Sequence, residues 1–204
     1  VAHFSSRGPV SPFYIKPDLV APGAFINTTD INKDYSISSG TSFAAPHVAG
    51  AAALILQKNS QLTPEELKSI LMTTSDTVYD QYGKKFPIEV AGTGRINVSK
   101  AIDAELIIQP PNLIFDLSPA NQIQTKYLKI NGIDGESMSI RFEESAIVDF
   151  DYNLDSENLE INAKLTEQSL GDFESRIIIN HNEIDYHIPI IVRVSEGAIT
   201  INED

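Results

Sequence analysis

The 204-residue sequence has no cysteine at all. That excludes disulfides, thiol catalysis and Cys-based zinc sites, though not secretion, since a chain with a sizeable core needs no covalent staples. It also has no apolar run near the ~20 residues of a membrane span: Ala49–Leu56 is too short and runs into Gln57-Lys58. Positive charge is scarce in the C-terminal half. Residues 1–104 carry nine Lys/Arg and nine Asp/Glu; residues 105–204 carry six and nineteen, which accounts for the whole net charge of −13. An acidic surface of this kind argues against nucleic acid or an anionic membrane as partner. What remains is 42% apolar and 21% charged, a globular composition with room for two domains.

The most informative segment is Gly40-Thr41-Ser42-Phe43-Ala44-Ala45-Pro46-His47-Val48-Ala49-Gly50, which opens the Ala-rich run Ala49–Ala53. The pattern predicts a buried helix from about Ser42 to Lys58. A serine at such a start sits at the positive end of the helix dipole, beside N–H groups with no intrahelical acceptor. An acyl-transfer nucleophile needs that geometry, because the oxyanion forms next to the attacked carbon. The plain alternative is Ser42 as an N-cap in front of a core helix. A cap needs neither the preceding Gly-Thr nor the following Pro-His.

Other elements follow from local signals. Tyr35–Ser38 reads as a short strand. Thr63-Pro64-Glu65-Glu66 is a capping box with Pro at the first helical position, and Leu67, Ile70 and Leu71 form one face of the helix it starts. Asn97 to Ala104 reads as a third, short helix. After Ile107 the period changes to two. Strands are expected at Leu113–Leu117, Thr125–Ile130, Met138–Phe142, Ala146–Phe150, Leu159–Leu165, Phe173–Ile179 and Tyr186–Val194, a β-sandwich pattern of the immunoglobulin or fibronectin-III kind. Gln109-Pro110-Pro111-Asn112 is the expected hinge, dividing the chain into domains 1–108 and 109–204.

The Gly40–Gly50 segment resembles the nucleophile motif of the subtilisin-like serine proteases. Phe4-Ser5-Ser6-Arg7-Gly8-Pro9, Lys16-Pro17-Asp18-Leu19-Val20-Ala21-Pro22-Gly23 and Gly92-Thr93-Gly94-Arg95-Ile96-Asn97 are similar to the family stretches that flank it, in the family's order. The likeness is to a secreted bacterial branch in which a β-sandwich follows the catalytic domain. It implies an α/β subtilisin-like fold for residues 1–108, serine endopeptidase activity on proteins or peptides, an extracellular location, and Ser42 as the nucleophile. Phe43 stands where the family most often has Met.

The resemblance also implies an Asp-His-Ser triad in that chain order. The sequence holds no Asp-Thr-Gly strand end, no His-Gly-Thr helix start and no oxyanion-hole Asn ahead of Ser42. Its histidines do not supply the base. His47 lies five residues after Ser42, which in a helix turns it away by about 140°, and the family likeness makes it a buried, hydrogen-bonded structural residue. His3 reads as a strand residue, His181 sits in a turn-like segment, and His187 alternates outward on a strand. The expectation is therefore a fragment that supplies the nucleophile alone and needs an N-terminal part of the same protease for activity. An alternative is an inactive, cell-surface relative whose acidic sandwich binds partners.

No cofactor is expected. Asp149, Asp151, Asn153, Asp155 and Glu157 place oxygens at every second position, as calcium loops begin, but the sixth position is Leu154 where an EF-hand turn requires Gly. A solvated strand face explains the spacing, and a calcium-dependent spacer stands as the alternative. Arg7 reads as a loop-holding residue, and Gly92-Thr93-Gly94 is too short for a nucleotide loop.

Overall fold

The computed structural model describes residues 1–8, 10, 14–32, 34–133 and 138–196. Pro9 of the first family-like stretch and residues 197–204 of the expected sandwich lie outside them. The chain forms two compact units, Val1–Ala104 and Glu105–Asp204.

The first unit opens with an antiparallel ribbon of β1 (Ile26–Thr29) and β2 (Tyr35–Ser38), in which Ile26 pairs with Ser38. Helix α1 (Thr41–Lys58) follows directly, then α2 (Pro64–Thr73), α3 (Ile88–Ala91) and α4 (Val98–Asp103). The start of α2 is the capping box read from the sequence. Glu66 N–H donates to Thr63 Oγ1 at 3.3 Å, and Thr63 N–H donates back to Glu66 Oε2 at 2.8 Å. Ile70, Leu71 and Met72 are buried and Leu67 is half-buried. Helix α4 is capped by Asn97, whose Oδ1 accepts from Lys100 N–H at 3.0 Å.

One expectation fails in this unit. Helix α1 is not buried: Ala51 and Ile55 are, but Ala49, Gly50, Ala53 and Leu54 are exposed, Leu54 by 48%. A helix apolar on all sides normally packs on all sides; here α2 and α4 cover one side. Of the α/β fold expected for residues 1–108 the described residues hold four helices and one sheet, the two-stranded ribbon.

The second unit is a β-sandwich. Its strands are β3 (Ile107–Gln109), β4 (Leu113–Leu117), β5 (Ile123–Asn131), β6 (Ser139–Phe142), β7 (Val148–Asp155), β8 (Asn158–Leu165), β9 (Gly171–His181) and β10 (Ile184–Val194). They make two four-stranded sheets, β4-β10-β9-β6 and β3-β5-β8-β7, antiparallel throughout except for β4 beside β10. The alternation in the sequence becomes the core: Leu128 and Ile130, Leu159 and Ile161, Ile177 and Ile179, Ile188 and Ile190 are fully enclosed. Phe115 of β4 and Phe142 of β6 meet Phe150 of β7, with centroids 6.1 Å and 5.2 Å apart, and so join the sheets.

Strand β3 was not visible in the pattern, being three residues long. Ile107 and Ile108 pair with Asn131 and Ile130, so the expected hinge at 109–112 is the β3–β4 link inside this unit. His181 is not in a turn either. It ends β9 at 1% exposure, and the β9–β10 turn is Asn182-Glu183, both left-handed at φ 47° and 64°, the geometry of a two-residue hairpin.

Tyr186 is buried, and its hydroxyl accepts from the N–H of Glu105 at 2.9 Å and of Leu106 at 3.2 Å. Burial, with the Glu105 charge, pushes the phenol above its ordinary value against those two donors, so it stays neutral. Tyr186→Phe leaves both donors without this acceptor and should cost about 1–3 kcal/mol, read as a lower urea midpoint of the sandwich.

Candidate active site

Each family-like stretch is short, yet hydrogen bonds tie the Lys16–Gly23 stretch to both Gly92–Asn97 and Gly40, and the first stretch to α3. Gly8 N–H donates to Glu89 O at 2.9 Å. Thr93 N–H and Oγ1 both donate to Asp18 O, at 3.0 and 3.1 Å. Val20 N–H donates to Gly94 O at 2.8 Å and Ile96 N–H to Val20 O at 2.9 Å. The approach explains Gly92, which sits at φ 60° and whose missing Cβ would lie 2.2 Å from Pro17 O. Pro22-Gly23 in turn meets the start of α1. Gly40 N–H donates to Gly23 O at 2.8 Å, Phe25 N–H donates to Ser39 Oγ at 2.8 Å, and a Cβ on Gly23 would meet Gly40 O at 2.8 Å.

That lacing fixes the point where extended chain becomes helix. Gly40, not Ser42, is the N-cap, with no side-chain cap bond, so the capping reading of Ser42 does not hold. Ser42 is the second helical residue and is exposed. Its N–H has no intrahelical acceptor. Its carbonyl also lacks the usual donor four residues on, because that residue is Pro46. The serine thus offers a hydroxyl and a free amide at the positive end of an 18-residue helix. A groove of about 560 Å³ lies beside the start of α1, lined by Gly40 and Thr41 and by apolar residues including Phe4, Leu19, Val20, Ala44, Ala45 and Val48; Ser42 is not among the residues that line it.

Among the described residues no histidine stands with Ser42 as a base. His47 Nδ1 lies 2.8 Å from Phe43 O, so the ring is tied to its own helix as expected, but it is exposed rather than buried. His3 is exposed in a turn, not a strand, with its ring edge-on to Phe4 at 5.4 Å. His181 and His187 belong to the sandwich. Arg7 is exposed, and its loop is held instead by the Gly8 backbone. Asp149, Asp151, Asn153 and Asp155 are exposed along β7. Among the described residues no group of three or more His, Asp or Glu is placed to hold a metal.

Nothing in the sequence joins the members of one further cluster. Asp76 accepts from Lys100 Nζ at 2.9 Å and Asn97 Nδ2 at 3.0 Å, with Arg95 3.8 Å away. Burial would raise its carboxyl, but the hydrogen bonds from Lys100 and Asn97 and the charges of Lys100 and Arg95 outweigh it, and it titrates below the ordinary 3.8. A depressed acid adds stability that is full above the unfolded value and is lost as pH falls through the folded one. Asp76→Asn should therefore lower the urea midpoint of the full chain at pH 7, and the deficit should shrink as pH drops below 3.8.

Residues 1–98 match the family model of the subtilases, peptidase family S8. The minor extracellular protease Vpr of Bacillus subtilis (strain 168) is 33% identical over 162 residues, 76% of this chain and 19% of that protein. Subtilisin-like protease SBT2.6 of Arabidopsis thaliana is 39% identical over 150 residues, 57% of this chain and 17% of that protein. By sequence, residues 1–98 belong to the subtilase family. The chain spans less than a fifth of the length of these relatives. Among solved structures, the titin M4 domain aligns over 44% of this chain and 95% of its own, with TM-score 0.34 and 11% identity. At that score the sandwich assignment rests on this chain's own strand pairing.

Proposed function

We propose that this chain is the nucleophile-bearing part of an extracellular serine endopeptidase acting on proteins or peptides, with Ser42 as nucleophile. The observation that carries the reading is an exposed serine at the second position of a helix inside a segment of subtilase sequence. Ser42 Oγ attacks the peptide carbonyl after a histidine from sequence N-terminal to Val1 takes its proton; an aspartate from the same region orients that histidine. The Ser42 N–H helps hold the oxyanion; its collapse breaks the C–N bond as the histidine returns its proton to the leaving amine, and water, deprotonated by the same histidine, then releases the acyl group as a carboxylic acid.

The N-terminal part has a second task, completing the α/β core. The bare side of α1 and the apolar groove beside it are the surfaces it would cover. The sandwich is of the immunoglobulin type: β3-β5-β8-β7 and β6-β9-β10 follow the ABED and CFG orders, with β4 added beside the last strand. The test is peptide hydrolysis by the chain alone and by the chain preceded by its upstream coding sequence. The first should be no faster than buffer and the second should turn over. Equal rates in both would overturn the reading.

A further inference from the structure

The sandwich has four sheet edges among the described residues, and they are unequal. Three are short: β3, β4 and β6 have three, five and four residues. Short edges are the usual protection against stray pairing. The fourth, β7, has eight residues and pairs with β8 alone among the described residues.

The register shows which backbone groups that edge leaves open. Thr166 N–H donates to Ile147 O at 2.8 Å, and antiparallel pairing alternates. Odd-numbered residues of β7 therefore bond to β8, and the N–H and C=O groups of Val148, Phe150, Tyr152 and Leu154 point off the free edge. The side chains alternate too. Asp149, Asp151, Asn153 and Asp155 stand exposed on one face; on the other, Tyr152 and Leu154 remain 43% and 38% exposed beyond Phe150.

We propose that β7 is a docking edge for an extended peptide strand that alternates cationic and apolar residues. The open amides and carbonyls supply main-chain pairing. Charge complementarity names the occupant: the β7 carboxylates meet one cation in register on β8, Lys164 opposite Asp149, while Asp151 and Asp155 face Asn162 and Asn158. The unit as a whole carries nineteen acids against six bases. Apolar residues of the incoming strand would cover Tyr152 and Leu154. A second copy does not fit, since antiparallel β7–β7 pairing sets aspartates against aspartates. The inference is independent of the peptidase reading.

The test uses the full chain and a capped peptide alternating Lys and Val over the length of β7, followed by amide NMR. Saturable shifts and slowed exchange at the amides of 148, 150, 152 and 154 are expected, with binding weakened at about 0.5 M NaCl, where the Debye length is only about 4 Å. The same peptide with Glu for Lys should not bind. Tyr152→Pro removes an N–H that β8 does not use and should abolish binding with the far-ultraviolet spectrum unchanged. Asp149→Asn, Asp151→Asn and Asp155→Asn together should weaken binding about tenfold, as three screened ion pairs would. Equal binding of the Lys and Glu peptides, undiminished binding by Tyr152→Pro, shifts elsewhere, or dimerisation of the chain through β7 would each overturn the proposal.

Discussion

Ser42→Ala, in the protease that includes the upstream sequence, should lower kcat by on the order of 10⁶-fold and leave KM within its order of magnitude; subtilisin itself is the source of that figure. The size follows from the role proposed: the hydroxyl makes the bond that defines the transition state and contributes little to holding the substrate. The fold should be indifferent. Ser42 is exposed and Gly40 holds the N-cap position, so the change removes no cap and no buried contact. The urea midpoint should move by no more than about 0.5 kcal/mol equivalent. A large loss of stability alongside the loss of rate would mean that Ser42 is structural.

The largest effect on stability should come from Phe115→Ala, at about 3–5 kcal/mol. Phe115 has no exposed surface, stands on β4 and meets Phe150 of the facing sheet, so its removal opens a cavity where both layers meet. Domains of this size have about 5–15 kcal/mol in total, so the variant sandwich would be marginal. Exchange of the Ile188 and Ile190 amides in the full chain reads this directly, because both lie in the adjacent strand β10. Tyr127→Ala is the control. Tyr127 is 59% exposed, and its loss should cost well under 1 kcal/mol.

What the sequence disclosed, it disclosed through local chemistry. The capping box at Thr63 and Glu66 needs no distant partner, and the pair forms as read. The alternation from Leu113 to Val194 survived because a half-buried strand writes its two faces into every second residue. The short strand at Tyr35–Ser38 was legible too, but its pairing with Ile26–Thr29 was not. The misses depend on tertiary surroundings. Ala49–Ala53 has the composition of a buried helix, whereas burial depends on what lies beside it, and α1 has one covered side. Strand β3 is too short to show a period. Asn180–Glu183 looks like a loop because Asn and Glu occupy it, yet only Asn182 and Glu183 turn, and His181 closes the strand.

For the proposed site the sequence points to one residue. The sequence points to Ser42 through its neighbours, and the structure shows what those neighbours do locally, by the hydrogen bonds that join Gly23 to Gly40 and Asp18 to Thr93; the role of Ser42 itself is the proposal. Arg95 and Asn97 lie in the Gly92–Asn97 stretch, but nothing in the sequence joins them to Asp76 or Lys100. All four are ordinary surface residue types joined only by the fold.

The most direct measurement is the position of a fluorophosphonate adduct, mapped by mass spectrometry on the protease that includes the sequence upstream of Val1. The account predicts a single adduct on Ser42, absent when the 204-residue chain is treated alone. An adduct on any other residue, or rapid labelling of Ser42 in the chain alone, would contradict it.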